Sequence, residues 1–256
     1  MPTRPDRFQI LQARPAHDLI NSLGHAQKQL AAVPLTPEQK RTLNRWVEIE
    51  FASATLGLEG VAVSREEVES LDGDPSTPAD TNRQRNSQIV NLLEAIRTVR
   101  SLCETSGRAA QLTPELLIKL HSRLNDEAIS PTDPREAQPS SERVAAPRSV
   151  AQIESACRWF AAESFVELHP TEQASIVLLR MLELEQFGKA NTRTALVASS
   201  LFCVRSELPA IIIKPELQAE YRAALSEGIR MNTKPMVDLV GHALLLTVGE
   251  MLKRVA

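Results

Sequence analysis

Two stretches of this chain are apolar on almost every side, and they constrain the fold more than anything else in it. The first carries Ile176, Val177, Leu178, Leu179, Met181, Leu182 and Leu184; the second carries Leu196, Val197, Leu201, Phe202 and Val204. A helix with no polar face cannot lie on a surface and belongs in the middle of a domain. The spacing predicts helices over 170–186 and 192–205. The short connection from Phe187 to Asn191 then sits where two core helices meet.

Helical periodicity dominates elsewhere too. Ile89, Leu92, Leu93, Ile96, Val99 and Leu102 form one apolar stripe. Thr36-Pro37-Glu38-Gln39 combines an N-cap, a proline in the first turn and a capping-box partner. Ser64-Arg65-Glu66-Glu67 and Ser149-Val150-Ala151-Gln152 follow the same logic, and Thr113-Pro114 and His169-Pro170 open two more helices. The predicted helices span 17–33, 37–58, 65–71, 80–104, 114–125, 150–163, 170–186, 192–205, 216–227 and 235–253. Ile211-Ile212-Ile213 is too short to found a sheet, so the fold class is all-α. Residues 126–148 hold four prolines (Pro131, Pro134, Pro139 and Pro147) in a long irregular stretch of the kind that is functional or disordered. A shorter linker over 72–79 divides the chain into an N-terminal helical region, 1–78, and a larger helical domain, 79–256.

The chain has 256 residues, 43% of them apolar, which suffices for a core without disulfides or metal. Cys103, Cys157 and Cys203 share no ligand spacing and read as buried free thiols; no metal site is expected. A net charge of -3 argues against a nucleic-acid surface or an anionic membrane surface. No run of about 18 apolar residues suggests a transmembrane helix. The stretch Met1 to Ile10 has no apolar h-region, so a cytoplasmic location is the expectation. Gly-x-Ser-x-Gly, Walker and His-Glu-x-x-His patterns are absent. Of the five scattered histidines, His169 reads as a helix cap.

Five segments in order resemble the Fic/Doc (Fido) family, whose members transfer nucleotide phosphoryl groups onto protein hydroxyls. Ser53-Ala54-Thr55-Leu56-Gly57-Leu58-Glu59-Gly60 is similar to the family's inhibitory-helix motif, with Thr55, Glu59 and Gly60 in its regulatory positions. Asn91-Leu92-Leu93-Glu94-Ala95 matches the following long helix, and the segment from Leu112 to Leu124 the next. His169-Pro170-Thr171-Glu172-Gln173-Ala174 is similar to the start of the helix leading into the active loop. Glu220-Tyr221-Arg222-Ala223-Ala224-Leu225 is close to the C-terminal Tyr-x-x-Ala-Leu element. The resemblance implies a Fic-type helical fold, with 126–148 in the place of the β-hairpin flap that docks a target segment.

The family's active loop reads His-Pro-Phe-x-Asp-Gly-Asn-Gly-Arg, with a further arginine three residues on. In register here stand Glu185, Gln186, Phe187, Gly188, Lys189, Ala190, Asn191, Thr192 and Arg193, then Leu196 for the second arginine. Glu185 replaces the catalytic histidine. A base works best with a pKa near ambient pH, and glutamate starts near 4.3 against about 6.5 for histidine. Lys189 replaces the acidic residue that holds Mg²⁺; an ammonium cannot ligate the ion, though it can touch phosphate directly. Ala190 and Thr192 replace glycines of the anion-binding nest, and a β-branched residue disfavours positive φ. Asn191 and Arg193 match phosphate-binding positions. Alternatively, Asn191 or Thr192 caps the next helix. With leucine at 196, Glu59 loses its expected partner and either pairs with another cation, such as Arg193, or is a relic.

These departures lead to a degenerate Fic-type protein, impaired in transfer and binding a nucleotide, another anion or a target protein. ATP is the nucleotide the resemblance implies, and Lys189 argues against Mg²⁺. The alternative is an active adenylyltransferase, or a Doc-like kinase, with Glu185 as an altered base. A homo-oligomer is left open.

Overall fold

The computed structural model describes residues 17–73, 83–125, 150–184 and 190–255. Eleven α-helices account for most of them: α1 (His17–Ala32), α2 (Pro37–Leu58), α3 (Arg65–Gly73), α4 (Arg83–Ser106), α5 (Pro114–Asn125), α6 (Val150–Phe160), α7 (Glu163–Val166), α8 (Pro170–Leu184), α9 (Asn191–Val204), α10 (Gln218–Ile229) and α11 (Lys234–Val255). Short 3₁₀ turns follow α4 and precede α10. No strand occurs among the described residues, in agreement with an all-α class. The expected flap over 126–148, the Ser149 cap, and residues 185–189 lie outside them.

Helix α9 is the hub. It packs along α8 and also touches α4, α5 and α2. From Arg193 to Cys203 every α9 residue is buried. Helix α11 packs on α1, α10, α8 and α2 and closes the opposite side. By length and composition α11 could span a membrane, unlike the sequence-based expectation that none would. Yet half of its most apolar window is buried, as in a core helix.

The helix starts follow the sequence closely. At α2, Thr36 Oγ1 accepts from the Gln39 N–H (3.2 Å) and Gln39 Oε1 accepts from the Thr36 N–H (2.9 Å), which completes the capping box. Ser64 and Glu67 repeat the exchange before α3 at 3.2 and 2.8 Å. The His169 imidazole accepts from the Thr171 N–H at 3.3 Å, so its work is capping. One expected helix breaks: 150–163 ends at Phe160, and the short α7 follows. The break turns Phe165 inward onto Trp159, Phe160 and Phe202, with ring centroids 5.1 to 5.8 Å apart. The Gln173 amide then donates to the carbonyls of Phe165, Val166 and Leu168, groups that a continued helix would have satisfied itself.

Helix α2 is fixed at its middle and at its C-terminus. Near its middle, the buried Glu48 pairs with Arg97 (2.9 Å) and Arg100 of α4. Asp72 of α3 joins Arg97 to Arg45 of α2. At its C-terminus, Gly60 takes φ +82, its N–H bonds to the Gly57 carbonyl (3.0 Å), and the Val61 N–H bonds to the Leu56 carbonyl (3.0 Å). This is a Schellman stop with Gly60 at the left-handed position. The Gln218 amide donates to the Leu58 carbonyl at 2.9 Å, and a Cβ on Gly57 would lie 2.4 Å from Pro215 Cγ. The end of α2 is therefore seated directly on the turn before α10.

Gly57 separates two opposing effects. Helix propensity alone would make Gly57→Ala stabilising by about 1 kcal/mol. The added methyl overlaps the Pro215 ring, and overpacking of this kind costs about 1–3 kcal/mol. The expected net result is a lower urea midpoint for Gly57→Ala, with unchanged helical circular dichroism.

Candidate anion-binding site

The first turn of α9 passes from the half-buried Asn191 and Thr192 to the buried Arg193, whose orphan N–H cannot rely on bulk water. One of the two readings of the sequence has Asn191 or Thr192 cap this end. Instead Ala190 precedes the helix in the left-handed region (φ 62, ψ 14) and no side chain of its own caps it. That backbone costs an L-residue about 1–2 kcal/mol and suits the glycine of the family pattern. Thr192 already lies within the helix and is not among the positive-φ residues, so its β-branch meets no such strain.

The missing cap comes from another helix. Glu59, the C-cap residue of α2, accepts the Arg193 backbone N–H on Oε1 at 3.2 Å. Its Oε2 lies 2.8 Å from Arg193 Nε. One carboxylate thus takes both the helix N–H and the side-chain cation of the same residue. Of the two fates expected for Glu59, the structure has the pairing with Arg193. Burial pushes the Glu59 carboxyl above its ordinary range, against the pull of the Arg193 charge and its hydrogen bonds. Arg193 is itself only 7% exposed, and its Nη1 donates to the Leu124 carbonyl at 3.4 Å. That carbonyl belongs to the last turn of α5, where a cation is favoured by the helix dipole.

Thr55 is buried one turn before Glu59, and Gly60 supplies the stop that projects it. Among the described residues, the buried Asn191 Oδ1 and Tyr221 hydroxyl meet no hydrogen-bond partner. Tyr221 lies near enough to Glu59 that the carboxylate charge adds to burial in raising its pKa. Leu196, in the place of the second family arginine, is 1% exposed and belongs to the core. Glu185 and Lys189 fall outside the described residues; of the other expected site residues, Glu59 and Arg193 are in direct contact, while Thr55 and Gly60 flank Glu59, and Asn191 opens the helix that carries Arg193. Among the described residues, no three His, Cys, Asp or Glu side chains gather as a metal site would require.

One member of this neighbourhood escaped the sequence reading. His121 of α5 is 1% exposed, and its Nδ1 lies 3.3 Å from Thr194 Oγ1. Burial, with the Arg193 charge as a lesser cause, pushes its pKa down to about 4. A signal was present in the sequence: Leu117, Leu120, His121 and Leu124 stand at i, i+3, i+4 and i+7, so the imidazole shares the buried stripe.

The relatives agree with this architecture. No family model matches the chain. The protein adenylyltransferase fic-1 of Caenorhabditis briggsae is 24% identical over 231 residues, covering 88% of this chain and 43% of that protein. The fic-1 protein of Caenorhabditis elegans is 24% identical over 234 residues, covering 89% and 44%. The chain thus spans less than half the length of these curated relatives. Among solved structures, a Fic-1 fragment from C. elegans superposes with a TM-score of 0.77 at 17% identity, covering 93% of this chain and 71% of that one. A Fic-domain signalling protein from Bacteroides thetaiotaomicron gives 0.73 at 18%, covering 93% and 96%. The chain is an all-helical protein with the Fic fold. The sequence similarity to the two adenylyltransferases, at 24% identity, together with that fold supports the resemblance to the Fic/Fido family.

The buried imidazole gives a test of the site's electrostatics. In the unfolded chain a histidine titrates near 6.5, whereas in the fold His121 titrates near 4. Between these values the unfolded state binds the extra proton, so stability present above pH 6.5 is lost as the pH falls toward 4. The loss is on the order of 3 kcal/mol. Urea midpoints at pH 7 and pH 4.5 should therefore differ less in His121→Asn than in the parent chain. An equal difference in both would contradict a buried neutral imidazole.

Proposed function

We propose that this chain is a Fic-fold module that binds a nucleotide or related phosphate anion at the N-terminus of α9, is held shut by Glu59, and is impaired in phosphoryl transfer. One observation carries the reading. Glu59 engages the Arg193 N–H and the Arg193 guanidinium together, at 3.2 and 2.8 Å. A carboxylate here has the charge and acceptor geometry of a phosphate oxygen pair, and helix N-termini bind phosphates by the same N–H donors. Glu59 stands in for the anion, and a phosphate would have to displace it. ATP is the nucleotide best supported, because the similar fic-1 proteins are named as adenylyltransferases.

The impairment follows from residue chemistry. At the family's histidine position the sequence has Glu185, and at its acidic metal-binding position it has Lys189. A glutamate near a polyphosphate is repelled by the ligand it should serve, and a lysine offers Mg²⁺ no oxygen. What remains suits binding, with Arg193 as the retained cation and Lys189 as a point charge for phosphate.

Calorimetric titration with ATP tests this. Glu59→Gly should bind ATP at least about tenfold more tightly than the parent, the worth of the freed charged hydrogen bond and ion pair. Adding Arg193→Ala should abolish the gain. Labelled ATP with Mg²⁺ should leave no label on Glu59→Gly or on added protein. Mg²⁺-dependent labelling would remove the impairment, and failure of Glu59→Gly to bind ATP would remove the nucleotide reading.

A further inference from the structure

We propose that His121 is a positioning residue for this site: acting through Thr194, it fixes the Ala190 turn and so aims the first N–H groups of α9 at the anion. The proposal rests on the reading of the α9 N-terminus given above and adds a residue that lies behind it.

The argument is one of hydrogen-bond bookkeeping. The Thr194 hydroxyl donates to the Ala190 carbonyl at 2.8 Å, and the Thr194 N–H donates to the same carbonyl at 2.9 Å. Its only proton being spent, Thr194 Oγ1 meets His121 Nδ1 as an acceptor, at 3.3 Å. His121 therefore carries its proton on Nδ1. A hydroxyl whose lone pair is held by a donor has its O–H direction set, and buried in this way it is not free to rotate toward another acceptor.

The Ala190 carbonyl is the terminus of this chain. It belongs to the same planar peptide as the Asn191 N–H, and the two point in opposite directions. With the carbonyl tied inward to Thr194, the Asn191 N–H must point out of the helix end. Ala190 also holds the least favourable backbone conformation at the site, and such strain persists only where the surroundings over-determine it. The two bonds on its carbonyl, backed by His121, provide that constraint. His121 also stands within the field of Arg193, so a neutral ring avoids a second cation beside the guanidinium.

Two conservative variants separate this role from space filling. Asparagine presents an amide N–H near the position of Nδ1, and glutamine presents one near Nε2. In the Glu59→Gly background, His121→Asn should keep ATP affinity within about twofold, and His121→Gln should lose about tenfold at a similar melting temperature. If asparagine binds ATP no better than glutamine, the proposal falls. Two-bond ¹H–¹⁵N spectra of the imidazole in the parent chain give an independent reading. Protonation on Nδ1 is expected, and an Nε2–H tautomer would overturn the assignment. If the Glu59→Gly parent itself binds no ATP, it is the reading of the anion site that fails, and the tautomer alone decides the His121–Thr194–Ala190 chain.

Discussion

The buried N-terminus of α9 sets the terms for everything around it. A helix start that faced solvent could leave its first N–H groups to water. This start has its third residue, Arg193, buried near α2 and α5, where an unpaired donor costs about 1–3 kcal/mol. Its own residues do not help, since Ala190 has no polar side chain and the left-handed backbone there excludes the usual cap geometry. An acceptor must arrive from elsewhere. In this chain it is the Glu59 carboxylate, delivered by a helix whose end is locked by a Schellman stop and seated on Pro215 and Gln218.

Neither charge of the pair sits where helix stability alone would put it. Glu59 is an anion at the C-terminus of α2, and Arg193 is a cation in the first turn of α9; each opposes its own helix dipole by about 0.3–1 kcal/mol. Their pairing removes the conflict, and the α5 carbonyl of Leu124 completes the shell of the guanidinium. Such local rule-breaking is characteristic of functional sites. It also means that Glu59 cannot simply leave. Withdrawal would strand a guanidinium that is 7% exposed, and a buried charge without its partner costs several kcal/mol. On the proposed reading, departure of the carboxylate would therefore be coupled to arrival of another anion on Arg193.

Much of the fold was legible because the helix signals are local. The Thr36–Gln39 and Ser64–Glu67 boxes and the Gly60 stop need only a few neighbouring residues, and each formed as the sequence requires. The all-apolar segments announced α8 and α9 as the centre, since no other placement hides them. The site was less legible. That Glu59 would meet Arg193 was one of two open alternatives, because the pairing joins residues 134 apart in sequence and depends on how α2 ends against α10. The local cap that Asn191 or Thr192 offered as one alternative did not form for the same reason: the tertiary contact supplied the acceptor. Phe165 defeated the periodicity over 150–163, where aromatic packing outweighed the two helical residues lost at 161 and 162.

The leucine at 196 links these points. An arginine there would give the site a second cation, as in the family pattern, and an inhibitory glutamate would have two partners to choose from. Leu196 instead is packed into the core, one turn along α9 from Arg193. Arg193 is then the one family arginine left for an anion, and the same group is the one that Glu59 holds. Competition between carboxylate and phosphate for a single guanidinium is more nearly all-or-none than competition for two. On the proposed reading, one guanidinium would orient a polyphosphate less fully than two, and the helix end would be either held by Glu59 or open to an anion.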